Sequence, residues 1–597
     1  MIIKTARLLK SLITSLPAHA SLAVNTALAV NTDFMKLALC LFLSFFLISC
    51  GNNPSTRNNQ NDLSRQQVSG GFAEEIRKLT ETGILSSMLQ ALDTIRSRNL
   101  SSVDFGRMMN GINTLLIKLV YPDTLARLPN VDLPQTYRYT RIIREAERGV
   151  YIKPHENTSD FFEYILPFLA VTGRTSAQAL PGDISAQEIF KDLDKAEEIS
   201  PASVLPSYFK GLLHERLGQF AEAERAYRKA HDISNECYPA LIGIARVKRL
   251  TGNKSEAVAS FSDLIISYPD SREIKRQLAI SLFENRDWSR ALPMIDEILQ
   301  SDARDGEFLL MKASLLIEQG HFSQANTVLD TYAPINPNNR LYLYLRARVQ
   351  ADGNRNRDSA LNYLRSILRA SPDDVEALVL AVALLMESSR PADQTEGREL
   401  LARLRRLAGS SVDVLTLSLR DAVMRESWQE AQGFLNRILA SRRTVQDLTD
   451  GYHIERALGN NSRALSFARE LYERDTSNNE NTLIYVSALI DNARRDEALR
   501  LLDSRMNSVG RGALLSRYYY LRSRLQTSDE AIVSDLRSSY FEDPKYLEAI
   551  IALFEYHNRR RETNRAVYYL KLAIATAPDN PVVRRLEREH SSLLSRN

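Results

Sequence analysis

The side chains best placed to do chemistry in this chain are arginines and tyrosines. They mix in two stretches, 340–348, with Tyr342, Tyr344, Arg346 and Arg348, and 517–524, with Tyr518, Tyr519, Tyr520, Arg522 and Arg524. A guanidinium grips a carboxylate or sulfate through paired N–H donors, and arginine and tyrosine are favoured interface anchors. On that reading Tyr344, Arg346, Arg348, Tyr518, Arg522 and Arg524 line a groove for acidic peptide segments or an anionic, sulfated polysaccharide. The competing reading is base composition plus aromatic core packing, since only Lys545 and Lys571 follow Lys312 while arginine abounds. A third reactive group is the Cys50 thiol, placed directly after an apolar run. Cys237, beside Pro239, reads as a small buried apolar residue.

Catalytic motifs are missing. The sequence has no phosphate-cradling glycine loop, no His-Glu-x-x-His, no paired-cysteine metal motif and no Gly-x-Ser-x-Gly elbow. The expectation is no enzyme, no cofactor and no metal, with an unrecognised active site in 72–200 as the remote alternative. His214, His231 and His321 sit within repeating text and read as core-edge residues. The 77 basic and 73 acidic residues leave a net charge of +4, which argues against a dedicated nucleic-acid binder.

What positions these residues is a repeat. Ala223, Ala257, Ala291 and Ala325 recur every 34 residues. Five ahead of each stand Gly218, Gly252, Arg286 and Gly320; four behind stand Tyr227, Phe261, Ile295 and Leu329. The small residue lets two antiparallel helices close, and the residues behind it supply the apolar stripe. Gly211, Gly218, Phe220, Ala223, Tyr227 and Ala230 resemble the tetratricopeptide (TPR) pattern, from which Lys254 and Arg286 depart. The anchors continue at Ala360, Gly397, Ala431, Ala464, Ala498, Ala531 and Ala566, with insertions in turns, the largest a loop over 390–395. The resemblance implies an all-α, right-handed α-solenoid of about eleven helix hairpins over 186–580. A 597-residue chain escapes the size limit of one core by growing in one dimension. A small helical cap over 72–185, with a capping box at Ser101 and Asp104, precedes the array, and a polar helix over 581–597 closes it.

The start of the chain reads as an address. Residues 1–34 fit nothing downstream and read as an upstream over-call or extended leader, with Met35 or Met1 as the start. Met35-Lys36 and the apolar run 37–48 make an export signal over 35–49. Leu47, Ile48, Ser49 and Cys50 resemble the bacterial lipobox, which implies a diacylglyceryl thioether and an amino-terminal acyl chain on Cys50. The run is too short to span a bilayer, and several acyl chains anchor firmly. Residues 50–71 are polar enough to stay a disordered tether.

These readings combine into a lipid-anchored solenoid of the bacterial cell envelope, expected on the outer membrane, facing the periplasm or the cell surface. It is expected to scaffold other proteins through a concave face and to contact no nucleic acid. The layout also resembles spirochaetal TPR lipoproteins, so a surface adhesin for host cells or matrix is the alternative.

Overall fold

The computed structural model describes residues 70–128, 130–135, 137–172, 180 and 184–594. The expected signal peptide over 35–49, the lipobox-like Leu47-Ile48-Ser49-Cys50 and nearly all of the expected tether over 50–71 lie outside them. The described residues are helical and turn, and they divide into two compact units. One runs through Gly218 and takes in Arg225–Pro239; the other comprises Gln219–Glu224 and Ala240–Asn597.

The first unit opens with α1 (Gly70–Glu81), α2 (Leu85–Ser97) and α3 (Asp104–Val120). Gly83 separates α1 from α2 at φ 69°, a conformation that L side chains avoid. The capping box at Ser101 does not form. Ser101 lies in a 3-10 turn, Val103 is the N-cap, and the Asp104 carboxylate takes Arg107 at 3.1 Å instead. Then follow α4 (Arg138–Glu147), α5 (Phe161–Ile165), α6 (Leu169–Thr172) and α7 (Ala186–Ile199), the last held by a Ser185–Glu188 capping box.

The first hairpin, α8 (Leu205–Arg216) and α9 (Phe220–Ile233), is built into this head. Phe168 stacks on Phe209 at 4.5 Å, the Tyr121 hydroxyl donates to Gly83 O at 3.1 Å, and Val204 N donates to Thr82 O at 2.9 Å. The cap thus does not end at residue 185, because its aromatic core needs α8 to close. Gly211 is required there: a Cβ would meet the Tyr227 ring at 2.5 Å.

Ten further hairpins follow. They are α10 (Tyr238–Leu250) with α11 (Lys254–Ser267), α12 (Arg272–Glu284) with α13 (Trp288–Ser301), and α14 (Gly306–Glu318) with α15 (Phe322–Tyr332). Next come α16 (Arg340–Arg348) with α17 (Arg357–Ala370), α18 (Val375–Met386) with α19 (Pro391–Ala408), and α20 (Val412–Met424) with α21 (Trp428–Leu439). The last are α22 (Val445–Ala457) with α23 (Asn461–Arg474), α24 (Asn479–Asp491) with α25 (Arg495–Met506), α26 (Ala513–Ser523) with α27 (Asp529–Glu542), and α28 (Leu547–Arg559) with α29 (Thr563–Thr576). The closing segment is two short helices rather than one, α30 (Pro581–Glu589) and α31 (Ser591–Leu594).

The small-residue column does what its spacing requires. Ala223, Ala257, Ala291, Ala325, Ala360, Ala431, Ala498 and Ala566 have no exposed surface, whereas Ser289, two positions from Ala291, is exposed. Three irregularities in the anchor spacing resolve physically. Ala531 and Ile532 are both half-buried, but α27 starts three residues ahead of Ile532, as α13 does of Ala291 and α29 of Ala566, so the column passes through Ile532, followed by buried Leu536 and Ser539, and 34-residue steps run from Ala498 to Ile532 to Ala566. The expected loop over 390–395 is an extra helical turn at the start of α19, fastened by Asp393 accepting from Ser388 Oγ (2.6 Å) and Arg390 Nε (2.7 Å). The one-residue excess between Ala325 and Ala360 is wound into a π-turn, Val349–Gly353, at the end of α16. Gly353 sits so tightly there that a Cβ would meet Phe322 at 2.5 Å.

Candidate binding surface

In nine of the eleven hairpins the turn between the two helices places one residue in the left-handed region, five ahead of the anchor. Gly218, Gly252, Gly320 and Gly459 occupy it, but so do Arg286, Arg355, Glu426, Ala493 and Arg561, at φ between 50° and 60°. No neighbour lies within 4 Å of a Cβ built at Gly252, so backbone conformation rather than space selects glycine there. Three hairpins add a side-chain latch across the turn, between the positions nine and four ahead of the anchor: Ser388–Asp393, Glu455–Asn460 (2.8 Å) and His557–Glu562 (2.8 Å).

Within the second unit, arginines tie several hairpins to their neighbours. Arg340 Nε and Nη2 both donate to Asp374 at 2.8 Å, and Arg365 holds Glu396 at 2.6 Å, while Arg443, just ahead of α22, braces α23 of the same hairpin through Glu470 at 2.5 Å. Arg456 holds Asp491 at 2.7 Å, and Arg560 holds Asp529 at 2.6 Å. The guanidinium fork on a long stem suits this reach, and it accounts for much of the arginine enrichment.

That use of arginine splits the residues expected to line a groove. On a helix, positions two apart face away from each other. Arg346 therefore turns onto α15 of the preceding hairpin, 7% exposed, where Tyr342 Oη, Asn326 and Asp330 accept from it. Arg522 likewise grips buried Asp535 at 2.6 Å, and Tyr518 is fully buried with its hydroxyl on Asn479 at 3.0 Å. Tyr344, Arg348 and Arg524 instead lie on the outer face of the first helices. Arg348 is paired there with Asp352 (2.8 Å) and Glu318 (3.0 Å), and Arg524 with Asp491 (3.2 Å). The six do not form one groove: α16 and α26 belong to hairpins far apart in the array.

The first-helix face of the late hairpins is where open polar groups gather. Solvent reaches His453, yet burial is the main cause holding its imidazole below the ordinary range, with Arg456 adding to it. Burial also raises Asp450 on the same helix. Farther along, burial raises the Tyr520 hydroxyl, opposed by Arg524 and Arg456 and aided by Glu548 and Glu555; burial and Glu548 raise Tyr546, opposed by Arg517 and Arg524. The Tyr520 and Tyr546 rings meet edge to face at 5.5 Å. Around them Arg517 pairs with Glu480, and Asp491 receives both Arg456 and Arg524. Glu548 and Glu555 are exposed, and Arg517 faces Glu548 as well as Glu480. Periodicity places α26 and α28 side by side, but nothing in it distinguishes a paired carboxylate from an open one.

In the first unit the polar groups join elements. Arg77 donates to Tyr139 Oη (3.2 Å) and Asp160 (3.1 Å), and Arg138 holds Glu163 at 2.7 Å. Among the described residues no group of His, Cys, Asp or Glu is arranged to hold a metal, and no helix is long and apolar enough to cross a membrane.

Family models described as tetratricopeptide repeat match residues 240–271 and 282–349. No curated protein matches the chain significantly. Similar solved structures include PilF of Pseudomonas aeruginosa, at 19% identity over 39% of this chain and 96% of that one, TM-score 0.31. A tetratricopeptide repeat protein from Parabacteroides merdae is similar at 14% identity over 48% and 98%, TM-score 0.28. Yeast Tom70 is similar at 11% identity over 67% and 90%, TM-score 0.29. Residues 240–271 and 282–349 are tetratricopeptide repeats, and the later hairpins repeat their packing columns as far as Ala566.

Proposed function

We propose that this protein is a non-catalytic scaffold that holds segments of other proteins along the first-helix face of its late hairpins. We further propose that Cys50 carries lipid tethering it to a membrane of the bacterial cell envelope. Tetratricopeptide repeats are generally protein-interaction modules. The observation that carries the reading for this chain is the half-buried Tyr520–Tyr546 ring pair joining α26 to the start of α28, flanked by the Arg517–Glu480 and Arg524–Asp491 ion pairs to α24. A partner segment lying there would find polar groups already partly dehydrated, which lowers the cost of covering them. The support for the anchor is the sequence alone, an apolar run ending in Leu47-Ile48-Ser49-Cys50.

A photo-crosslinking residue at Tyr520 should give discrete protein adducts in cells, while one at exposed Ser504 on α25 should not. Equal labelling from both positions, or none from Tyr520, would count against the binding face. Cys50→Ala should abolish partitioning into detergent; normal partitioning of that variant would remove the anchor.

A further inference from the structure

We infer that two copies of this chain pair through the outer face of α27, each setting Phe541 into a groove of the other. The face is separate from Tyr520 and Tyr546, and the pairing goes beyond the scaffold reading.

Helical spacing fixes the face. Glu530, Ser534, Arg537 and Phe541 stand at intervals of four, three and four residues, which puts them on one side of α27. All four are exposed, while Asp535, Leu536 and Ser539 on the other side are buried. Phe541 is 70% exposed, more than any other aromatic among the described residues. A lone exposed phenylalanine would need no explanation. This one borders a groove of about 690 Å³ that runs along the stripe and is lined by Tyr519 of α26 and Val533 as well.

Charge names the occupant. The neighbouring acids are engaged: Asp529 takes Arg560 at 2.6 Å, Asp535 takes Arg522 at 2.6 Å and Glu542 takes Arg511 at 3.1 Å. Glu530 and Arg537 form no ion pair among the described residues. Burial raises the Tyr569 hydroxyl and Arg537 opposes it, so that guanidinium leans toward α29 without an acid to hold it. A segment of one charge would satisfy Glu530 or Arg537 but not both. A second copy satisfies both, because a two-fold pairing uses the same patch twice.

The register follows. With Ser534 of each copy beside Arg537 of the other, each guanidinium lies one turn from the other copy's Glu530, within reach of its stem. Phe541 then arrives at the level of the other copy's Glu530, one turn from Val533, and the small Ser534 and Ser538 leave room for the ring.

Sedimentation of the full chain in detergent, across a concentration series, reads the pairing. One helix face is smaller than a standard interface, so a monomer–dimer equilibrium in the micromolar range is expected. Glu530→Arg and Arg537→Glu should each weaken it by about tenfold or more, because each brings like charges together twice. An equal mixture of those two variants should dimerise as the unsubstituted chain does, since both crossings are again opposite in charge. Phe541→Ser should weaken pairing about tenfold, with helicity unchanged by circular dichroism. A chain that stays monomeric throughout, a dimer indifferent to these substitutions, or charge variants that fail to pair when mixed would overturn the inference. Crosslinks from Tyr520 to other proteins would be untouched by any of those results, so the scaffold reading stands or falls separately.

Discussion

Hairpins two to four and hairpins five to eleven build one backbone from different side chains. In the early group the left-handed turn residue is Gly252 or Gly320, with Arg286 the exception. In the late group it is Arg355, Glu426, Ala493 or Arg561, Gly459 once, and absent from the α18–α19 and α26–α27 turns. Early hairpins use lysine beside arginine for their ion pairs, as in Lys275–Glu297 and Lys312–Asp296; late ones use arginine almost throughout. The family models match residues 240–271 and 282–349, which are the early hairpins and the start of the fifth. Signature residues therefore thin out where the fold does not. What persists is the buried anchor column and arginine ties between neighbouring hairpins, so burial period and inter-hairpin pairing carry the architecture.

The strongest test of that equivalence is overpacking the shared column. Ala291→Arg and Ala498→Arg should each cost more than about 3 kcal/mol, through overpacking and a buried unpaired charge. Hydrogen exchange should accelerate in the substituted hairpin and its neighbours and stay slow elsewhere. Ser289→Arg should be nearly silent. A late half that tolerated Ala498→Arg would end the claim of a common interior.

A smaller effect should separate the two groups. Arg522→Gln leaves Asp535, 4% exposed, without its cation, and denaturant unfolding should register a loss of about 2 kcal/mol. Lys275→Gln, at an exposed early pair, should change stability by less than about 0.5 kcal/mol. Equal losses would mean that the late arginines are no more structural than the early lysines.

Turn residues come next. Arg286→Gly, Ala493→Gly and Arg561→Gly each relieve a left-handed side chain and should stabilise by roughly 1 kcal/mol, while Gly252→Ala should destabilise by a similar amount. Thermal unfolding of the single variants checks the sign.

The smallest effect is electrostatic. Hydrogen bonding to Arg340 holds the Asp374 carboxyl below its ordinary range, and Arg443 does the same for Glu470. A depressed carboxyl contributes stability above the unfolded carboxylate range, and that contribution is lost as pH falls through the folded value. Acidification below about pH 4 should therefore loosen exchange at the α16–α18 and α22–α23 ties, and unchanged protection there would argue that these pairs are inert.

Much of the fold is legible in the sequence because helix pairing is a local, periodic problem. The alanine column fixes register from Ala223 to Ala498 without any knowledge of partners. It misleads at Ala531, where a small residue stands one position from the true column, although the even spacing of Ala498, Ile532 and Ala566 carries the correction. The binding face is less legible. Whether an arginine lies open or engaged depends on a carboxylate about one repeat away, as with Arg340 and Asp374, or across the hairpin, as with Arg522 and Asp535. Arginine-tyrosine stretches therefore point to Arg346 and Tyr518, which are interior. The lipobox and Cys50 lie outside the described residues and rest on sequence.

The π-turn at Val349–Gly353 bears on how such a chain changes length. A one-residue insertion in a hairpin would ordinarily shift every later contact out of phase or bulge into a loop. Here the surplus is coiled into the end of α16 and seated against Phe322, and the next anchor, Ala360, returns fully buried. Single-codon insertions and deletions at this helix end are thus absorbed within the hairpin where they arise. Removing Gln350 or Ala351 would return the unit to the common repeat length, so this point is one at which the lineage can gain or lose a residue while every later hairpin keeps its contacts.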